Sequence, residues 1–135
     1  MANGFKGLSQ KLEDAKYILF AKSARIRRAG AIKADSILVT STPVDTGLAR
    51  SNWLPSVRAP RNEVIKLQAE GNSTIVTPRS LNFQEWNNID VNTPIYLTNN
   101  VEYIVYLNDG HSGQAPAGFV EKAIAGAIAI MKTVK

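Results

Sequence analysis

LSQKLEDAKYILFAKSARIRRAGAIKADSILVT, residues 8–40, is the longest periodic stretch of the chain and sets its architecture. Leu8, Leu12, Ala15, Leu19, Ile26 and Ile37 are separated by threes and fours or their sums. At about 100° per residue they fall in one narrow stripe, the mark of an amphipathic helix. Ser23 and Gly30 continue the stripe with small side chains that permit close packing, and Lys33 intrudes at its edge. Gly30 costs about 1 kcal/mol relative to Ala in a helix interior, so the position admits a kink or a break. Pro43 ends the helix, because the residue before a proline avoids the helical region.

Thr42-Pro43-Val44-Asp45-Thr46-Gly47 then reads as a turn. Pro43 fixes φ, Asp45 and Thr46 can bond nearby backbone N–H groups, and Gly47 can take positive φ. Further on, Ser51–Arg58 reads as a strand made an edge or a bulge by Pro55. Val64–Ala69 and Ser73–Thr77 read as a hairpin, and Pro78–Thr93 as a loop docked through Phe83 and Trp86. Ile95–Thr98 and Tyr103–Leu107 read as two more strands. Asn108–Gly113 (NDGHSG) is a loop, and Pro116 is expected as the first residue of a C-terminal helix. In that helix Phe119, Val120, Ala123, Ile124, Ala127, Ile128, Met131 and Val134 form the apolar face. The expectation is a single α+β domain with two helices packed on a small, mainly antiparallel sheet. A long basic helix takes 1–41, sheet and loops 42–115, and the second helix 116–135. Leu12, Leu19, Ile26, Val120, Ile124 and Ala127 are the expected core.

The 135 residues fit one domain, and 44% hydrophobic with 20% charged residues is an ordinary globular balance. The chain has no cysteine, which excludes disulfides, thiolate zinc sites and thiol catalysis. No apolar region of signal-peptide type follows Lys6, and no stretch approaches the roughly 20 apolar residues of a membrane span. The reading is a soluble protein made in a cytoplasm. Net charge is +5 and belongs to one segment: residues 1–35 hold eight Lys or Arg against three acids, and the rest is neutral overall.

Signals for catalysis are poor. His111 is the only histidine. Gly110-His111-Ser112-Gly113 approaches a nucleophile elbow, but Gln114 stands where the last glycine is needed, and there is no second histidine to act as base. A contact-making loop is the simpler reading. Asp45, Glu102 and Asp109 lack the spacing of a calcium loop, and no phosphate-cradling glycine motif occurs. No metal, no cofactor and no enzymatic activity are expected.

The basic segment admits three readings. Lys11, Lys22 and Lys33 recur every 11 residues, roughly 16 Å apart on a helix, with Arg25 in the same arc. They can be a solvated face whose stems shield the apolar edge, a contact with an acidic subunit, or a track for a phosphate backbone. Lys22, Arg25 and Arg28 are the residues singled out for such a contact. In the loop before the last helix Asn108, Asp109, His111, Ser112 and Gln114 are the corresponding candidates. A loop held on rigid elements often carries binding function.

Two segments resemble a known family. Thr42 to Ser51 (TPVDTGLARS) resembles a hallmark of phage neck and tail-completion proteins, the family that includes the minor tail protein Z type. There, as here, it follows a long N-terminal helix. Ile95 to Val120 (IYLTNNVEYIVYLNDGHSGQAPAGFV) is similar to that family's later segment: a strand ending in Asn99 or Asn100, tyrosines at 103 and 106, a loop with Gly110, then Gln114, Pro116, Gly118 and Phe119 entering the last helix. The family often has Glu at the position of Asn108, with Asp109 the nearest carboxylate here. Residues 59–92 carry no resemblance. The resemblance implies a structural virion protein acting in tail completion and head–tail joining. Such a protein assembles in the host cytoplasm as a ring around the DNA channel, a hexamer or alternatively a dodecamer. It contacts connector, neck or tail-terminator proteins, touches genome DNA non-specifically at most, and has no membrane partner. The alternatives are a small nucleic-acid-binding module using the basic helix and, least supported, a small hydrolase.

Overall fold

The computed structural model describes residues 2–44, 47–65, 89–111, 113 and 116–135. Helix α1 runs unbroken from Ala2 to Ser41, 40 residues or roughly 60 Å. It includes Gly30 without a break. A short helix α2 (Leu48–Ser51) and strand β1 (Leu54–Val57) follow the turn. Strand β2 (Ile95–Thr98), a short helix α3 (Ile104–Asn108) and helix α4 (Phe119–Met131) complete the described elements. β1 and β2 pair antiparallel, with Leu54 opposite Thr98 and Val57 opposite Ile95. The architecture is therefore α+β, with a long N-terminal and a C-terminal helix beside a small antiparallel sheet.

α1 and α4 pack chiefly on each other. Gly30 of α1 meets Met131, whereas Ile37 and Lys33 meet Gly126, so the helices run antiparallel. Both glycines sit where a side chain would collide: a Cβ on Gly30 would lie 2.5 Å from Met131 Sδ, and one on Gly126 would overlap Ile37 Cδ1. Gly30 of the stripe thus serves close approach, and the helix tolerates it because packing outweighs its propensity cost.

The core lies at the C-terminal end of α1. Leu38, Trp53, Phe119 and Ala123 form its buried cluster, with Ile37, Leu97, Ile104 and Leu107 packed against it. Trp53 meets Phe119 edge to face, centroids 6.5 Å apart at 85°. This arrangement suits the ring quadrupoles. Of the expected core, Ile26, Val120 and Ala127 are half-buried, while Leu12 and Leu19 are each 63% exposed and Ile124 is 55% exposed. The reason is length. α4, at 13 residues or about 20 Å, covers only part of the 40-residue α1. Every residue from Lys6 to Lys22 is exposed, so that half of α1 stands away from the body as an arm.

Other expectations need correction. Tyr103–Leu107 is not a strand: α3 places Ile104 and Leu107, three apart, on the core, while Val105 and Tyr106 face outward. A five-residue apolar run does not distinguish one helical turn from a strand, and here spacing by three prevails over alternation. Ser51 belongs to α2, so the first strand begins at Leu54. Pro116 lies ahead of the last helix, which starts at Phe119 after Gly118 at φ 86°. Val64 and Ile65 are outside regular structure. The remainder of the expected hairpin, with Phe83 and Trp86, lies outside the described residues.

Candidate functional site

Two constructions organise the regions singled out by sequence, the corner after α1 and the entry to α4. At the corner, Thr42 is fully buried. Its hydroxyl donates to Leu38 O at 2.5 Å and accepts from Trp53 Nε1 at 2.8 Å. Pro43 follows, also buried, and Gly47 takes φ 87° immediately before α2. Arg50 then reaches back, donating from Nε (3.1 Å) and Nη2 (2.9 Å) to Thr42 O and from Nη2 to Thr40 O (3.3 Å). A guanidinium there satisfies carbonyls that a helix end leaves unpaired and meets the negative end of the dipole. Of the expected turn, Pro43 and Gly47 are described. Asp45 and Thr46 lie outside the described residues.

The second construction is centred on Asn108. Its Oδ1 accepts from Val120 N–H at 2.9 Å, its carbonyl accepts from Gly118 N–H at 2.8 Å, and its Nδ2 donates to both Glu121 carboxylate oxygens at 3.2 and 3.1 Å. Asn108 therefore supplies from α3 the oxygen that α4 lacks at its own start, where Gly118 offers no capping side chain. Gly110 has φ 96°, and a Cβ there would lie 3.0 Å from that of Ala117, so the two residues approach closely. Asp109 is exposed. His111 is exposed as well and stacks on Tyr106, centroids 4.2 Å apart at 17°. Ser112 and Gln114 lie outside the described residues.

On α1 the basic candidates separate. Lys22 and Arg25 are exposed, and Arg28 is half-buried. The neighbouring Arg27, not singled out by sequence, is turned inward. Its guanidinium donates to the carbonyls of Asp90 (2.9 Å), Val91 (3.4 Å) and Thr93, fastening α1 to the approach of β2. Beside it an open groove of about 330 Å³ runs between α1, β2 and α4, lined mostly by Gly30, Ala31, Ala34, Leu97 and Ala127. The arm itself presents Leu8, Leu12, Tyr17, Ile18 and Leu19, each more than half exposed.

The parts played by several asparagines and a lone acid were not legible in the sequence, because such residues carry no periodic signal. Asn52 is fully buried and satisfied on both sides, donating to Leu48 O and Ile65 O and accepting from Ile65 N–H. Asn99 donates to Ala49 O at 2.7 Å and accepts from Val101 N–H. Asn100 donates to Arg61 O and Glu63 O. Asp35 is buried at 2% exposure with Oδ1 unpartnered, and burial pushes its carboxyl up to about 6. Among the described residues, no group of three or more metal-ligating side chains comes together, and no helix is long and apolar enough to cross a membrane. Compared with protein-family models, curated proteins and solved structures, the chain has no match.

Proposed function

We propose that this chain is a structural virion protein of the neck or tail end of a tailed phage. It acts in tail completion and head–tail joining by forming a ring around the DNA channel. It is made in the host cytoplasm and ends in the virion, beside connector or tail-terminator proteins. The observation that carries this reading is the arm: a helix that continues from Lys22 back to Lys6 with every residue exposed and an apolar stripe uncovered. A monomer gains nothing from such a surface, whereas an assembly buries it. The TPVDTGLARS and Asn99-to-Phe119 likenesses supply the phage assignment, and ring closure follows the geometry of head-to-tail contacts.

The test is electron microscopy of tailed particles from cells expressing the protein, with subunits tagged at the C-terminus. Label at the head–tail junction or tail end is expected, and label absent from particles overturns the reading. A Lys22→Glu, Arg25→Glu double variant should lower the yield of fully tailed infectious particles, because reversal adds repulsion as well as removing attraction. Normal yields would remove that face from the assembly. The exposed Lys11, Lys16, Lys22 and Arg25 favour a second reading, a phosphate-backbone binder. Such a protein is a small species whose DNA affinity falls steeply with salt, whereas a ring is large and survives moderate salt.

A further inference from the structure

Among the described residues two apolar helix faces are uncovered: lysines edge the first, and the second has an acidic corner at its start and Lys132 one turn past Ile128 at its far end. The first is the arm. Leu8, Leu12, Ala15 and Leu19 follow a four–three–four spacing, the seam of a helix that packs knobs into holes. Lys11 and Lys22 flank that seam on one side and Lys16 on the other. From Lys6 to Lys22 the arm holds four lysines against two acids.

The second face is the outside of α4. That helix has only two charged residues in 13, Glu121 and Lys122. A helix apolar nearly all round is one that is covered on more than one side. Its inner side, through Phe119 and Ala123, is buried in the core. Ile124 and Ile128, four apart on the outer side, are 55% and 49% exposed. Glu121 lies one turn before Ile124, and its bond to Asn108 joins this helix start to α3. Between residues 102 and 121 the chain carries Glu102, Asp109 and Glu121 and no lysine or arginine. Val105 and Tyr106 add exposed apolar surface there, at 67% and 57%.

We infer that the arm of one copy docks on the outer face of α4 of a second copy, with its lysines toward the acidic α3–α4 corner. The inference rests on the assembly reading above and names the contact that builds it. Charge selects this pairing over the symmetric one. Two arms laid together would set lysine-edged seams against each other, whereas arm on α4 sets lysines near Glu102, Asp109 and Glu121. The arm and the α4 face are different surfaces, so each copy retains one of each after docking. The contact is heterologous and propagates until it closes.

The test is the mass of the purified full chain by light scattering at micromolar concentration. Wild type should run at a multiple of the 14.7 kDa chain. Leu12→Gln with Leu19→Gln should weaken self-association by about 100-fold or more. Ile124→Gln with Ile128→Gln should do the same. All four side chains are about half exposed or more, so circular-dichroism melts of the dissociated variants should match each other and show an intact fold. Mixed together, the two variants retain one intact contact and should form a one-to-one dimer and nothing larger. Lys11→Glu with Lys16→Glu should weaken assembly, and adding Glu102→Lys with Asp109→Lys should restore part of it. A monomeric wild type, an arm variant that assembles normally, or a mixture that stays monomeric would each overturn the inference. A monomeric wild type that binds phosphatidylserine vesicles through Leu12 and Leu19 would overturn it in favour of a lipid surface. Self-association lost with these variants but no label in virions would sink the phage assignment and leave the contact standing.

Discussion

Replacing Asp35 with asparagine should remove a pH dependence of stability that one buried carboxyl imposes. Asp35 is 2% exposed on α1, one of its oxygens has no hydrogen-bond partner, and its pKa rises from 3.8 to about 6 through desolvation. Below pH 3.8 the group is protonated in both folded and unfolded chains and contributes no difference. Between 3.8 and about 6 the unfolded chain releases the proton while the folded chain keeps it, so stability falls as pH rises. Above about 6 the loss is complete. At about 1.4 kcal/mol per pH unit the gap corresponds to about 3 kcal/mol. Urea unfolding of wild type and Asp35→Asn at half-unit steps from pH 4 to 8, by tryptophan fluorescence and circular dichroism, reads it directly. The other carboxylates are the same in both proteins, so the difference curve isolates Asp35. It should favour wild type progressively less as pH rises to 6 and be flat beyond. A difference curve flat across the whole range would refute the reasoning.

Gly47→Val should destabilise by about 1–3 kcal/mol, since φ 87° is a region that a β-branched residue resists; unchanged urea midpoints would exclude strain at that turn. Thr42→Val keeps the volume but orphans the buried Trp53 Nε1–H, so a loss of about 1–3 kcal/mol is expected in the same assay. Leu19→Ala, which in a filled core would cost about 2–5 kcal/mol, should change the stability of the isolated subunit by less than about 0.5 kcal/mol, because the side chain is 63% exposed. A large loss in a dissociated subunit would mean that the arm is packed within its own chain.

The sequence spoke most clearly where a single physical rule operates alone. The 3.6-residue period of α1 and α4, Pro43 as a stop and Gly47 as a positive-φ hinge each depend on local geometry and were readable. Which part of the α1 stripe is buried was not. The same leucine spacing at 12 and 19 serves an intramolecular core or a contact with another chain, and only the length of α4 relative to α1 tells them apart. α3 misled because Tyr103–Leu107 is rich in strand-favouring side chains, while its conformation is fixed by tertiary partners, Ile104 and Leu107 on the core and Asn108 on α4. Asn108 was singled out as a contact residue, yet its side chain is occupied in holding two helices together. Arg27 was passed over among its basic neighbours because nothing local marks it as the one that turns inward onto carbonyls at 90–93.

The glycines at the α1–α4 crossing also make the molecule a lever. Gly30 and Gly126 let each helix press against the other's neighbouring side chains, and the crossing is the fulcrum from which the arm is aimed. Some 24 residues separate Lys6 from Gly30, or about 36 Å of helix, so a tilt of about 10° at the crossing displaces the arm's end by about 6 Å. That is more than a full helical turn's rise. A methyl group added at either glycine acts first on the angle, and a change too small to unfold the subunit is enough to carry the leucine seam out of register with whatever it meets.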